Sequence, residues 1–178
     1  MNNLIGISGK MGSGKNTVAS MLCDIDDMFE QKAYGYKLKQ VCSLLTGIPV
    51  EKFEDQKFKI ETLSSQWGNL TVRELLQKVG TECMRYNLHP DTWVNALFAD
   101  YTPESKWIIT DVRFPNEYKA IKDRGGIVVR VGKPSIKCDE HISETALDGY
   151  KFDYKIYNEG DFNDLYDQVK ELYEKIIV

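Results

Sequence analysis

The chain has 178 residues, of which 42% are hydrophobic and 28% charged, and its formal net charge is -4. This length and balance suit one globular domain with a sizeable core. An acidic chain lacks the basic face that a general nucleic-acid coat needs, and no apolar run approaches the about 20 residues of a membrane span. We therefore expect neither nucleic acid nor membrane as a partner, and a cytoplasmic location.

Short apolar segments alternate with helical patterns in the first half of the chain. The sequence predicts a strand at 4–8, a helix at 17–23 and a second strand at 33–36. A helix follows that stops near Gly47 and carries on one side Leu38, Val41, Cys42 and Leu45. The charged stretch 51–69 has little periodicity, so we expect mixed helix and loop there.

The second half of the chain continues this alternation. Thr71 and Glu74 form a capping-box pattern, which predicts the start of a helix. Further helices are predicted at 91–99 and 116–123. The predicted strands of this half lie at 107–110, 127–131 and 154–157. The closing helix is predicted from the spacing of Leu165, Val169, Leu172 and Ile176.

Gly9, Gly14 and Lys15 satisfy the pattern G-x4-G-K in the loop between the first predicted strand and helix. Glycines let the backbone turn its amides towards phosphate oxygens, and the helix N-terminus adds positive partial charge. The pattern predicts a phosphate-binding loop in which Lys15 bridges the terminal phosphates of a nucleotide. The residues expected to hold that nucleotide are Lys10, Met11, Gly12, Ser13, Gly14, Lys15, Asn16 and Thr17.

Asn16 occupies the position after Lys15 where Ser or Thr is usual, and Thr17 follows it. A nucleoside triphosphate bound in such a loop carries Mg²⁺. Two residues are candidates for the protein ligand of that ion. Either Asn16 contributes its amide oxygen, directly or through water, or Thr17 supplies its hydroxyl.

The order of elements around this loop is typical of α/β proteins. Right-handed crossovers place helices on both faces of a parallel sheet. We therefore predict a three-layer sandwich of the P-loop NTPase type, with a mostly parallel five-stranded sheet flanked by helices. No internal repeat or linker-like segment is found, which predicts a single domain over 1–178 with a helical insertion at about 50–100.

A second group of polar residues follows the predicted strand at 107–110. Asp111 and Arg113 then lie at the carboxyl end of that strand, where open α/β sheets bind ligands. Asp111 is placed to hold Mg²⁺ or an acceptor group, and Arg113 to clamp a phosphate with two hydrogen bonds. The alternative is a loop-initiating aspartate beside a surface arginine. With Lys15, these two residues are the catalytic candidates.

Three cations and one aromatic residue in the helical region are further candidates. Arg73 and Arg85 are separated by twelve residues, a spacing that can leave both near one side of a helix. These arginines or Lys39 could gather an acceptor phosphate, and the alternative for each is a solvated surface cation. Trp93 could stack on a base or pack in the core.

Together these segments resemble phage deoxynucleoside monophosphate kinases, with phosphomevalonate and dephospho-coenzyme A kinases as more distant P-loop relatives. The resemblance covers most of the chain and is carried by 9–17, 38–40, 71–77, 80–82, 91–94, 111–117, 141–144 and 157–160. An Asn or Asp before Thr in the phosphate loop is also common in that family, which fits Asn16 and Thr17.

The resemblance implies transfer of the γ-phosphoryl group of ATP to a deoxynucleoside monophosphate (dNMP), with Mg²⁺ as cofactor. It assigns Asn158 to the adenine of ATP and the insertion at 50–100 to acceptor binding. It also makes 132–147 a lid that excludes water, for which the alternative is a solvated loop. The residues that it places on the acceptor side are Lys39, Arg73, Gly80, Thr81, Arg85, Trp93, Asp111, Arg113 and Glu117.

Two other functions stay open at this point. A P-loop kinase acting on phosphomevalonate or dephospho-coenzyme A would share the loop and much of the architecture. A non-catalytic nucleotide switch would share the loop alone, and the arginine-rich acceptor residues argue against it. A homodimer is also open, since Tyr166 and Tyr173 on the closing helix suit either a dimer contact or the interior.

Overall fold

The computed structural model describes residues 2–133 and 142–177. Its strands are β1 (Leu4–Ser8), β2 (Glu30–Lys32), β3 (Trp107–Val112), β4 (Ile127–Gly132) and β5 (Tyr154–Tyr157). They form one sheet in the order β2-β3-β1-β4-β5, and every pairing is parallel. The predicted α/β class and the strands at 4–8 and 154–157 are confirmed.

The helices of the described residues connect these strands, and several of them follow one another between β2 and β3. The α-helices are α1 (Lys15–Ile25), α2 (Tyr34–Thr46), α3 (Val72–Gln77), α4 (Thr92–Phe98), α5 (Pro115–Lys122), α6 (Ile142–Thr145) and α7 (Phe162–Ile177). Three 3₁₀ turns occupy Val50–Glu54, Phe58–Ile60 and Ser65–Trp67, and a π-helix at Lys78–Tyr86 directly continues α3. Within the described ranges, no helix is both long and apolar enough to cross a membrane.

The chain folds into two compact units. The sheet unit contains the residues up to Ala33 and those from Asp100 onward, and the helical unit is Tyr34–Ala99. The helical unit therefore includes the insertion predicted at about 50–100.

Each unit has its own apolar core. In the sheet unit, α7 buries the four predicted residues Leu165, Val169, Leu172 and Ile176 together with side chains of β1, β4 and α1. Of the two tyrosines considered for a dimer, Tyr173 packs against this core and Tyr166 is 38% exposed. The core of the helical unit is built on Cys42, Phe53, Val72, Leu75 and Val79.

The start of α3 is built as the sequence predicts. Thr71 Oγ1 accepts a hydrogen bond from Glu74 N at 3.2 Å, and Glu74 Oε2 accepts one from Thr71 N at 2.7 Å. The hydrogen bonds from the Thr71 backbone and hydroxyl hold the pKa of Glu74 below its ordinary value, because they favour the carboxylate.

Several element boundaries differ from the prediction by one or two residues, and the differences at the second strand and at β3 have structural consequences. The second strand is Glu30–Lys32 and not 33–36, where Tyr34 already begins α2. A three-residue strand at the edge of the sheet exposes Glu30 and Gln31, so it contains no apolar run to recognise. In addition, β3 extends beyond the predicted 107–110, so Asp111 belongs to the strand and not to the loop after it.

Candidate active site

The glycine-rich loop lies between β1 and α1, and two of its glycines are required by its shape. Gly14 is the N-cap of α1 with φ of 100°, which side chains disfavour, and a Cβ there would lie 2.5 Å from Asn158 Nδ2. A Cβ on Gly9 would lie 2.4 Å from Val131 O. A larger residue at Gly9 would push the loop away from β4, and one at Gly14 would strain the backbone and displace the Asn158 side chain.

Lys15 is the first residue of α1 and is only 9% exposed. Its Nζ donates hydrogen bonds to Gly9 O and Lys10 O, both at 2.7 Å. These carbonyl oxygens offset the cost of burying the ammonium and hold it over the loop. A bound triphosphate would replace neutral acceptors by anionic ones, to which a cation binds more strongly.

The backbone amides at the start of α1 provide the rest of an anion site. The first intrahelical bond runs from Val18 N to Gly14 O at 3.0 Å, so the N–H groups of residues 15–17 precede it. These amides and the helix dipole favour a phosphate group. Ser13 is buried and its N–H donates to Lys10 O at 3.1 Å, so this residue holds the loop in shape.

Asn158 follows β5 and is bonded to the same loop. Its N–H donates to Gly132 O at 2.8 Å, and its Nδ2 donates to Ser13 O at 3.0 Å. The side chain of Gln168 on α7 accepts from Tyr157 N and donates to Tyr157 O, both at 2.9 Å. Gln168 therefore fixes the end of the strand from which Asn158 reaches the loop, a role that the sequence did not indicate.

Asp111 and Arg113 lie at the carboxyl end of β3 and are half-buried. Ser8 of β1 pairs with Val112, so both residues lie beside the strand end from which the phosphate loop begins. Glu117 is 2% exposed, and its Oε2 accepts from Arg113 N at 2.8 Å and from Phe114 N at 3.1 Å. The buried carboxylate of Glu117 thus fixes the backbone that carries Arg113.

A group of charged residues that the sequence analysis missed contacts the same loop. Arg130 on β4 donates to Ser8 Oγ at 3.0 Å and to Asp148 Oδ1 at 2.6 Å. Lys10 Nζ lies 3.7 Å from Asp148 Oδ2. Asp148 therefore ties the segment after α6 to the phosphate loop. Residues 134–141 of the predicted lid lie outside the described residues.

Three of the predicted acceptor residues are engaged inside the helical unit. Lys39 Nζ lies 2.5 Å from Glu54 Oε1. Trp93 is 4% exposed, and its Nε1 donates to Gly80 O at 2.9 Å. The indole ring is therefore interior, which corrects the idea that it stacks on a base. Trp93 is thus tied to the backbone of Gly80, another of the predicted acceptor residues.

The other predicted acceptor residues of this unit lie along one continuous stretch of helix. Arg73 belongs to α3, and Thr81 and Arg85 belong to the π-helix. All three side chains are half-buried. They are therefore neither in the core nor fully solvated, which suits residues that bind a ligand.

The candidate protein ligands for Mg²⁺ are oxygen atoms of individual side chains and not a preformed cluster of ligands. Within the described ranges no three His, Cys, Asp or Glu side chains cluster as a metal site. Mg²⁺ that arrives with a nucleotide needs fewer protein ligands, because phosphates and waters fill most of its positions. Asn16 and Thr17 are exposed on the first turn of α1, and Asp111 is half-buried at the end of β3. Each offers an oxygen atom of the kind that Mg²⁺ binds, so these residues fit the ion.

Comparison with solved structures supports the fold. The dephospho-CoA kinase of Campylobacter jejuni matches with a TM-score of 0.55 at 14% identity, over 99% of this chain and 98% of that chain. At this identity the likeness concerns the fold alone.

Comparison of sequences identifies the family. The family model described as deoxynucleotide monophosphate kinase matches residues 33–169. A protein of Acanthamoeba polyphaga mimivirus, named as a candidate deoxynucleotide monophosphate kinase, is 32% identical over 182 residues, covering 93% of each chain. The deoxynucleotide monophosphate kinase of Enterobacteria phage T4 is 30% identical over 117 residues, which are 62% of this chain and 47% of the phage protein. This chain therefore belongs to the deoxynucleotide monophosphate kinase family.

Proposed function

We propose that this protein transfers the γ-phosphoryl group of ATP to a dNMP, giving ADP and the deoxynucleoside diphosphate. The observation that carries the proposal is the ammonium of Lys15, held 2.7 Å from two loop carbonyls at the amino end of α1. In a chain of this family, that cation and the adjoining amides are the parts that phosphoryl transfer requires.

The sheet unit binds ATP. The amides of residues 15–17 and the dipole of α1 hold the β- and γ-phosphates, and Lys15 leaves its carbonyl partners to bridge them. Asn158 lies near the adenine while its Nδ2 keeps the loop in place through Ser13 O. ATP and free deoxynucleotides occur in the cytoplasm, so we expect the reaction there.

Mg²⁺ would be held by the phosphates together with Asn16 or Thr17 and with Asp111. When bound, the ion neutralises the charge that spreads over the phosphoryl oxygens. Asp111 is suited to this role because it lies at the end of β3, beside the end of β1 that leads into the loop.

The acceptor reacts by direct displacement. A phosphate oxygen of the dNMP forms a bond to the γ-phosphorus while the bond from that phosphorus to the bridging β,γ-oxygen breaks, and ADP leaves. Arg113 clamps the acceptor phosphate, and the buried Glu117 keeps the backbone of Arg113 in position. No protein nucleophile takes part, because positioning and charge stabilisation lower the barrier.

The helical unit recognises the acceptor. Arg73, Thr81 and Arg85 supply donors on its surface, and Lys39 joins them from its pair with Glu54. Gly80 and Trp93 act indirectly by fixing the backbone of the helix that bears Thr81.

The test is ATP-dependent transfer to a panel of acceptors, followed by separation of the products. The panel contains dTMP, dGMP, dCMP, dAMP, the four ribonucleotides, phosphomevalonate and dephospho-coenzyme A. We expect turnover of one or more dNMPs, and the panel then reports which bases are accepted.

Two results would contradict the proposal in different ways. Turnover of a non-nucleotide acceptor alone would keep the kinase and replace its substrate. Binding of ATP without transfer to any acceptor would make the chain a nucleotide-binding module.

A further inference from the structure

The position of the Lys15 ammonium depends on the first residues of the phosphate loop. Lys15 Nζ donates to Gly9 O and to Lys10 O, both at 2.7 Å. Ser8 is the last residue of β1 and directly precedes these two residues. We call residues 8–10 the loop start. A shift of the loop start would carry the carbonyl oxygens away and would move Lys15 from the place where it meets the phosphates of ATP.

Arg130 on β4 joins the loop start to Asp148. Its Nη1 donates to Ser8 Oγ at 3.0 Å, and its Nη2 donates to Asp148 Oδ1 at 2.6 Å. Ser8 and Arg130 are also partners in the pairing of β1 with β4. The guanidinium lies 5.3 Å from the centroid of the Phe152 ring, and the side chain is mostly buried. These contacts hold the planar guanidinium in one orientation between the strand end and the carboxylate.

Lys10 forms the second connection between the loop start and Asp148. Lys10 Nζ lies 3.7 Å from Asp148 Oδ2, while Arg130 bonds to the other oxygen of the same carboxylate. Two cations that share one carboxylate are close neighbours, and they would repel each other without it. The carboxylate of Asp148 therefore allows both side chains to stay beside the loop start.

Asp148 can position the loop because the residues that follow it are fixed to other parts of the sheet unit. Tyr118 Oη on α5 donates to Lys151 O at 2.6 Å. Asp153 N donates to Val128 O at 3.0 Å, and Val128 N donates to Asp153 Oδ2 at 2.7 Å. The backbone that carries Asp148 is therefore attached to α5 and β4 independently of the phosphate loop.

We propose that Asp148 is a positioning residue that holds the loop start, and through it Lys15, in the geometry that binds ATP. This inference rests on the ATP-binding part of the proposed function. The negative charge of Asp148 is balanced by Arg130 and Lys10, so it does not repel the phosphates of ATP. Asp148 lies outside the sequence motif of the phosphate loop, and its role follows only from these contacts.

The test compares Asp148→Asn with Asp123→Asn. Asp123 is the matched control, because it is also an exposed aspartate of the sheet unit that forms an ion pair, in its case with Lys119 on α5. Isothermal titration calorimetry measures the binding of ATP without acceptor, and steady-state kinetics then varies ATP and acceptor separately. Thermal melts check that each variant is folded.

We expect Asp148→Asn to weaken ATP binding about 3- to 10-fold, a modest factor because the carboxylate is partly exposed. The value of kcat should also fall, since a displaced Lys15 stabilises the transferring group less well. The KM for the acceptor should stay constant, and Asp123→Asn should behave like wild type. Asp148→Glu keeps the carboxylate and should recover part of the ATP affinity that Asp148→Asn loses.

A double variant tests whether Asp148 acts through Arg130. If the two residues form one network, Arg130→Gln and Asp148→Asn together should weaken ATP binding by less than the product of their separate effects. Separate effects that multiply in full would contradict the proposed connection.

The comparison of the two aspartate variants can overturn the inference in three ways. Asp148→Asn that binds ATP as well as Asp123→Asn does would show that Asp148 does not position the loop. Tighter binding by Asp148→Asn would mean that its carboxylate competes with the phosphates for Lys10. Equal increases in the KM values for ATP and acceptor would indicate a general structural role. Wild type that binds ATP but phosphorylates no dNMP would refute the proposed function, and calorimetry would still decide the role of Asp148.

Discussion

The two units would hold their ligands with different kinds of groups. In the sheet unit, the anion site consists mainly of backbone amides at the start of α1, with Lys15 as the central charged side chain. In the helical unit, the candidate ligand groups are side chains, and the backbone acts only by setting their direction. The backbone site of the sheet unit depends on the glycines that shape its loop. The directions of the side chains in the helical unit depend on whether the helix is of the α or the π form.

This difference predicts how each unit responds to substitution. Changes at the phosphate loop and α1 of the sheet unit should affect ATP and the rate of transfer, since the phosphate groups bound there lie at the reacting centre. Arg113 and Glu117 are exceptions in this unit, because Arg113 holds the acceptor phosphate and Glu117 positions its backbone. Changes in the helical unit should affect the acceptor and leave the KM for ATP unchanged. Each variant below tests whether the effects divide in this way.

Lys15→Ala should have the largest effect. Removal of a cation that stabilises the transferring group costs about 10²- to 10³-fold in kcat. The fold should survive, because the ammonium bonds to carbonyl oxygens of the phosphate loop and is not part of the apolar core. Steady-state kinetics and a thermal melt check both points, with the exposed Lys170→Ala as a control that keeps wild-type activity. Near-normal turnover of Lys15→Ala would remove the phosphate loop from the mechanism.

Trp93→Phe tests the helical unit without touching the ligand. The change keeps an aromatic ring but removes the bond to Gly80 O, which should lower the free energy of unfolding by about 1–3 kcal/mol. Loosening of the π-helix should raise the acceptor KM about 3- to 10-fold. Trp107→Phe, at a buried tryptophan of the sheet unit, is the matched control and should leave the acceptor KM unchanged. Identical kinetics for both variants would mean that the π-helix does not determine the positions of the acceptor residues.

Asn158→Ala and Gln168→Ala test the sheet unit at a distance from the phosphates. Loss of the bond to Ser13 O should raise the KM for ATP about 3- to 10-fold in Asn158→Ala. Gln168→Ala removes the two hydrogen bonds to Tyr157 and one to Asp164 O, so it acts on the loop indirectly. We expect the KM for ATP to rise by about half that factor or less. The acceptor KM should stay constant in both variants. A rise in the acceptor KM alone would place Asn158 on the other substrate.

The phosphate loop could be predicted from the sequence because its requirements are local. Gly9, Gly14 and Lys15 lie within seven consecutive residues between a strand and a helix, and each has one structural reason to be there. The parallel sheet was predictable for the same reason, since buried strands contain short apolar runs. The edge strand β2 has no such run, and its position was missed.

Other parts of the site depend on distant contacts that no local pattern reports. Asn158 bonds to Ser13 across 145 residues, a contact that follows from the order of β1, β4 and β5 in the sheet. Trp93 has the spacing of a core residue and the chemistry of a base-stacking one, so only its burial decides between them. The π-helix is set by packing and by donors from α4, whereas residues 78–86 read as an ordinary helix.

The smallest expected effects concern acid stability, and a carboxylate of each unit has a lowered pKa. Burial raises the pKa of Asp26 in the sheet unit, but hydrogen bonds from Met28 N, Lys106 and Tyr173 outweigh it and hold the pKa below its ordinary value. The corresponding group of the helical unit is Glu74, which is bonded to Thr71.

Asp26→Asn should lower the free energy of unfolding at pH 7 by about 1–2 kcal/mol, because a mostly buried carboxylate loses charged hydrogen bonds. Glu74→Gln should have a smaller effect, since its partners are at the surface. A lowered folded-state pKa stabilises the protein above the unfolded-state value and loses that contribution as the pH falls through the folded-state value. Each variant should therefore approach wild type in urea titrations as the pH falls below about 4. A gap for Asp26→Asn that stays constant down to that pH would mean that packing, and not the charge of Asp26, joins the end of α1 to α7.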